Sequence, residues 1–259
     1  NCYSKLKLNK LNKKAVTMHC LYLGGNSMHV LFIFIFCLLS FSVSAFQVIP
    51  MVADLSSQGS QSQQTLRITN PSDKPLTIDV SAFNMNISDT GVESLEINEE
   101  DFLIIPMTTI IPPGNSQSVI VRYIGEPIIE HSKSYRITVE QVSVDLNDNA
   151  QSGVGMSLSF RTLFNVVPDN AEAKLIIKDK KQLAENQWGV LLENHGNKYV
   201  RLSKAQWNIK SKGKVLILEG MDLSRALSGK ILLPNSKSNI SISIPKEFQA
   251  ADSELEVIF

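Results

Sequence analysis

Few side chains in this protein are of types that carry covalent chemistry, and those few stand apart. Past Ala45 the histidines are His131 and His195, and no cysteine remains, because Cys2, Cys20 and Cys37 all precede that point. A serine triad needs a histidine beside a serine and a carboxylate, and no G-x-S-x-G segment presents a serine on a strand-to-helix turn. Two histidines so far apart in sequence make a poor zinc site. DLNDNA from Asp145 begins like a calcium loop, but Ala150 replaces the required glycine and Met156 the bidentate glutamate. It reads as a solvated hairpin loop. Glu99, Glu100 and Asp101 read as a solvated loop edge, not as a paired-carboxylate site. GVG at Gly153 opens a strand, where a dinucleotide fingerprint would open a helix. The expectation is a chain that is not an enzyme, with no metal and no cofactor.

Binding is what remains, and one stretch stands out for it. In GVGMSLSFRTLFNVVP, Gly153 to Pro168, the residues Val154, Met156, Leu158 and Phe160 share one strand face. Gly155, Ser157, Ser159 and Arg161 share the other, because successive side chains on a strand point to opposite faces. From Leu163 to Val167 the alternation stops and both faces become largely apolar, as in a segment buried on two sides. Two readings stand. The strand belongs to an ordinary core, or its alternating half keeps an apolar face for another chain.

Residues 1–45 read as a leader. The apolar run Val30 to Val43 is shorter than the roughly 18 to 20 residues needed to span a bilayer. Val43, Ser44 and Ala45 suit a signal peptidase, which places cleavage after Ala45; a short membrane anchor is the alternative. Upstream of the run lies the basic stretch KLKLNKLNKK, and Met18 and Met28 are alternative starts. The whole chain holds 25 basic and 25 acidic residues; the leader holds five lysines and no acid, leaving 20 basic against 25 acidic, a net charge of −5. That balance excludes a nucleic-acid binder or a basic membrane-surface protein. Without cysteine the exported chain forms no disulfide, so its stability must come from packing. NIS at Asn86 and at Asn239 are glycosylation sequons only where a pathway glycosylates them.

The elements that must position the strand are themselves strands. Leu66 and Ile68 alternate with polar neighbours in TLRIT, the cluster NPSDKP makes a turn, and Leu76, Ile78, Val80 and Ala82 alternate again. Phe46 to Leu55, Phe102 to Ile105, Val119 to Ile124, Tyr135 to Val144 and Gly153 to Val167 complete about seven strands. DNAEA from Asp169 reads as a linker. A second set of strands follows: Lys174 to Lys178, Trp188 to Leu192, Tyr199 to Leu202, Gln206 to Ile209, Val215 to Leu218, Ile231 to Leu233, Ile240 to Ile244 and Leu255 to Phe259. No helix is expected. The fold class is all-β: an immunoglobulin-like sandwich over 46–168 and a smaller one over 169–259.

TLRITNPSDKPLTIDVSAFNMN, IIPPGNSQSVIVRY, SYRITVEQV and SLSFRTLFNVVP, in this order and spacing, resemble the PapD-like periplasmic pilus chaperones over nearly all of Phe46 to Phe259. The resemblance implies a periplasmic chaperone that completes pilus subunits by donor-strand complementation and delivers them to an outer-membrane usher. Val154, Met156, Leu158 and Phe160 would be the donor row. Full burial of four such side chains gives roughly 6 to 12 kcal/mol gross, at about 1.5 to 3 each. The best-studied branch anchors the subunit's terminal carboxylate with two basic residues in the interdomain cleft. Pro50 and Asn165 occupy those places here, and neither carries charge. This resembles the archaic, Csu-type branch, which lacks the pair and shows a similar S-x-x-[MF]-R pattern, here Ser157 to Arg161. Arg161 is then a substitute anchor or a solvent-facing, cross-strand residue. An unpaired apolar strand is an aggregation liability, so self-association of the free protein, or the loop Asp145 to Ser152, is expected to mask it. An exported pilus or adhesin subunit is the alternative function.

Overall fold

Strict apolar alternation in the sequence becomes strands with one buried face. The computed structural model describes residues 45–142 and 157–259. β3 (Gln63–Thr69) and β4 (Leu76–Ile87) bury Leu66, Ile68, Ile78 and Val80 completely. The turn between them is held by Asn70, itself buried. Its Oδ1 accepts from the Ser72 backbone N–H at 3.1 Å and its Nδ2 donates to the Lys74 and Ile111 carbonyls at 2.8 and 3.0 Å. A buried amide with every bond made is a fixed corner.

The first sandwich packs two sheets face to face. One has the order β1-β3-β8-β6, with β1 Gln47–Ile49, β8 Ser116–Tyr123 and β6 Phe102–Ile105. The other runs β2-β10-β9-β4-β5, with β2 Val52–Ser56, β10 Ser159–Val167, β9 Lys133–Gln141 and β5 Glu93–Ile97; β7 (Thr108–Ile111) also pairs with β4. The segment expected as one strand from Phe46 to Leu55 is two strands in different sheets. Proline has no N–H to continue a ladder, and the chain crosses between sheets at Pro50, after a cis Ile49–Pro50 peptide. β5 and β7 were not expected either. β5 is mostly exposed and offers no alternation to read, and it is held to β9 by Arg136, whose guanidinium donates to both Glu93 carboxylate oxygens at 2.9 and 2.6 Å.

The second sandwich carries β11 (Leu175–Ala184), β12 (Gln187–Asn194) and β17 (Lys237–Ser243) in one sheet. β14 (Gln206–Ser211) stands between β15 (Lys214–Leu218) and β18 (Glu254–Ile258) in another, and β13 (Val200–Arg201) pairs with β16 (Ile231–Leu232). Its core centres on Trp188 and Trp207, both fully buried, and the Trp188 indole donates to the Phe248 carbonyl at 3.1 Å. Among the described residues one α-helix, α1 (Gly220–Ala226), departs from the all-strand expectation. At seven residues it is too short to display a helical period, and it is placed by the burial of Leu223 and Leu227. No helix among the described residues is long and apolar enough to cross a membrane.

Phe164 lies at the centre of the first core with no exposed surface. Phe164→Ala is expected to lower unfolding free energy by about 3 to 5 kcal/mol, read as a shift of the urea midpoint at unchanged slope.

Candidate functional site

β10 is paired unequally along its length. From Leu163 to Val166 it lies between two neighbours, antiparallel to β9 and parallel to β2, with Leu163 opposite Val52 and the β2 pairing reaching Val167 opposite Ser56. From Ser159 to Thr162 only β9 remains among the described residues, because β2 begins after the chain has crossed from the other sheet. The direction of each backbone group follows from two bonds. Gln141 N–H donates to the Leu158 carbonyl at 2.8 Å, and Leu163 N–H donates to the Met51 carbonyl at 2.9 Å on the other side. Backbone groups alternate sides along a strand, so Ser159 and Arg161 direct N–H and C=O away from β9. Among the described residues theirs is an open edge.

Side chains along this edge follow the alternation read from sequence. Phe160 packs edge-to-face on Phe46 at 4.7 Å between ring centroids, and Leu158 joins it against the first core; both are half-buried. Ser159 and Arg161 are exposed. Arg161 lies opposite Thr138 of β9 and makes no ion pair among the described residues. Val154 and Met156 lie outside the described residues, as does the loop Asp145 to Ser152. A partner strand on this edge would find backbone donors and acceptors, plus the still-exposed part of Leu158 and Phe160.

The doubly apolar half has a structural cause. Phe164 and Val166 face the first core, while Leu163 faces the other way, into a cluster with Met85, Tyr199 and Ile231. Tyr199 and Ile231 belong to the second sandwich. Leu163 to Val166 is thus buried on both faces because it passes between a core and a neighbouring sandwich.

Asn165 sits in that junction, fully buried. Its Oδ1 accepts from Ser134 Oγ at 2.8 Å and its Nδ2 donates to Asp54 Oδ1 at 3.0 Å. The Tyr199 hydroxyl donates to the same Asp54 oxygen at 2.6 Å. Burial, reinforced by the carboxylate it donates to, pushes the Tyr199 phenol well above its usual range, so it stays a donor. Further bonds cross the junction. Ser132 N–H donates to the Asn197 carbonyl at 2.8 Å, Tyr199 N–H to Ser132 Oγ at 2.7 Å, and Lys237 pairs with Asp89 at 3.0 Å. Pro50, half-buried, stands at the sheet crossing. Asp54, Ser134 and Tyr199 escaped the sequence reading. No local spacing links residues separated by 145 positions, as Asp54 and Tyr199 are.

His195 shares its ring nitrogen with Glu193 at 2.7 Å, and His131 shares its own with Asn235 at 3.0 Å. Both sit at polar, solvent-facing positions. Among the described residues no three histidine, cysteine or acidic side chains converge to hold a metal.

No protein-family model matches this chain, and no curated protein matches it. Solved structures do. One is a chain from the chaperone–tip adhesin complex of CFA/I fimbriae biogenesis, 14% identical with a TM-score of 0.53, the match covering 83% of this chain and 99% of that one. The class 5 fimbriae chaperone CfaA is 14% identical with a TM-score of 0.52 over 83% and 99% of the two chains. The YadV chaperone is 14% identical with a TM-score of 0.52 over 83% and 92%. The chain shares the two-domain immunoglobulin-like fold of these structures.

Tyr199→Phe removes one donor to Asp54 while keeping the buried ring. It is expected to cost about 1 kcal/mol, and a double-mutant cycle with Asp54→Ala is expected to show coupling of about 0.5 kcal/mol or more, measured by urea unfolding.

Proposed function

We propose that this protein is a periplasmic, non-enzymatic chaperone that holds pilus subunits on the open edge of β10 and passes them to an outer-membrane usher. The observation that carries the reading is the loss of β10's second neighbour before Leu163, which leaves the Ser159 and Arg161 backbone groups without a partner among the described residues, beside the half-buried Leu158 and Phe160. A subunit with an incomplete sandwich supplies the matching deficit. Its groove takes a strand, the backbone ladder gives hold that is indifferent to sequence, and the alternating apolar row sets register. Val154 and Met156 extend that row in this reading. The fold shared with a chain of a chaperone–tip adhesin complex supports a subunit as the guest.

The carboxylate of such a guest meets no basic pair at Pro50 and Asn165. Asn165 is committed to Ser134 and Asp54, and in this reading its work is to fix the junction. Arg161, exposed and without an ion pair among the described residues, is the cation on the donor edge. The two sandwiches divide at the stretch between Val167 and Leu175, after a leader that ends at Ala45. The alternative of a structural pilus subunit fits less well, because the first sandwich keeps its last strand and has a closed core at Phe164 and Val166.

Delivery needs a second surface that stays free while the edge is occupied. The outer face of β1-β3-β8-β6 offers one. Leu103 and Ile105 of β6 are 43% and 51% exposed, and Ile120, opposite Ile105 on β8, is 38% exposed. Contiguous exposed apolar side chains of this kind mark contact surfaces.

Two outcomes follow. Ser159→Pro removes a backbone donor that points away from β9, so it should leave the fold intact. It is expected to weaken capture of a co-expressed pilus subunit about 5-fold or more, as loss of one buried ladder bond of about 1 to 3 kcal/mol requires; unchanged one-to-one capture would count against the donor edge. Ile105→Lys with Ile120→Lys is expected to keep subunit capture and to reduce pilus assembly on cells, scored by surface immunolabelling. Unimpaired assembly would remove this face from the account.

A further inference from the structure

Among the described residues a second strand edge is open, in the second sandwich. β15 is the outer strand of the sheet β15-β14-β18, and its sequence from Lys214 is KVLIL. The two-residue turn Lys212–Gly213, with φ of +48° and +80°, joins it to β14 and pairs Ser211 with Lys214. Such a turn makes the closing pair hydrogen-bonded, so Lys214, Leu216 and Leu218 direct their backbone groups to β14. Val215 and Ile217 therefore direct theirs outward. The same two residues are 60% and 53% exposed on the outer face.

Several other edge strands of the protein are guarded, although β6 at the edge of the first sheet carries no charge. β5 carries Glu93 and Glu96, β11 carries Lys178, Asp179, Lys180 and Lys181, and β18 carries Glu254 and Glu256. Charges along an edge prevent strand addition. β15 has none between Lys214 and Leu218. Its charges lie beyond the apolar core and differ in sign at the two ends: Lys212 and Lys214 before it, Glu219 and Asp222 after it. Lys212 is paired with Asp252 at 2.8 Å, whereas Lys214 and Glu219 make no ion pair among the described residues.

This pattern is self-complementary under a two-fold axis. We infer that β15 is a homodimer edge, at which two copies pair antiparallel about Leu216 and join their three-stranded sheets into one sheet of six. Val215 then lies opposite Ile217 of the second copy, and the outward N–H and C=O groups of both residues exchange hydrogen bonds. Four exposed apolar side chains then stand as neighbouring cross-strand pairs on the outer face of the joined sheet, each partly shielding the next. The basic end of each strand lies beside the acidic end of the other, whereas a parallel arrangement would set like charges together. The site is separate from the β10 edge and stands without the subunit-binding role.

The test is sedimentation of the compact unit Ala45–Phe259 over a range of concentrations. Wild type is expected to show a reversible dimer. Ile217→Pro removes an outward N–H that β14 does not use, and it is expected to raise the dissociation constant about tenfold or more while the far-ultraviolet circular dichroism stays unchanged. Lys214→Glu is expected to weaken the dimer, and Lys214→Glu with Glu219→Lys to restore it, a rescue that stands whether or not the proline variant folds. A monomeric wild type overturns the inference. So does a dimer indifferent to both Ile217→Pro and the charge exchange, which would place the contact elsewhere, as would one abolished by Ser159→Pro.

Discussion

Everything distinctive about the first sandwich depends on where the parallel ladder between β2 and β10 begins. The chain reaches β2 only after crossing from the opposite sheet at Pro50, so among the described residues β10 gains its second neighbour at Leu163 and not before. One half of a single strand is thereby closed on both edges and buried on both faces. The other half is closed on one edge and half-buried on one face. The boundary between them falls within one residue of the point where apolar alternation gives way to continuous apolar sequence. Composition and pairing agree because they answer the same constraint: a strand interior to both a sheet and a domain junction must be apolar on both sides, while a strand at an edge need be so on one.

The closed half also ties the edge to the second sandwich. Leu163 packs on Tyr199 and Ile231, and the Tyr199 hydroxyl and Asn165 amide converge on one oxygen of Asp54. A buried amide whose donor and acceptor are both used cannot turn without losing bonds worth about 1 kcal/mol each, and more where a carboxylate is the partner. The position is therefore rigid and uncharged, and the open edge begins four residues before it along the same strand. The second sandwich contributes little to that edge directly; its role is to fix the strand that carries it.

Much of this was legible in the sequence because it rests on alternation. Leu66, Ile68, Ile78 and Val80 declared their strands, NPSDKP its turn, and Leu158 to Val167 the change of environment. β5, with glutamates and little buried surface, gave no periodic signal. Phe46 to Leu55 read as one strand because its two halves have the same character and only Pro50 marks the crossing. Asp54, Ser134, Asn165 and Tyr199 could not be joined by reading, since hydrogen bonds across 31, 111 and 145 positions leave no local pattern. Nor does alternation reveal which edge of a strand is free: that is fixed by the partners, and Ser159 and Arg161 became informative only once their neighbours were placed.

The most direct test is amide exchange at single residues of β10 by NMR, in dilute free protein and in its complex with a co-expressed pilus subunit. Phe160 N–H faces β9 and should be protected in both states. Ser159 and Arg161 N–H face the open edge, so they should exchange quickly when free and become as protected as Phe160 when a subunit strand bonds to them. If Ser159 and Arg161 exchange at the same rate with and without bound subunit, no strand is added at this edge, and the account of how the protein holds its partner is wrong.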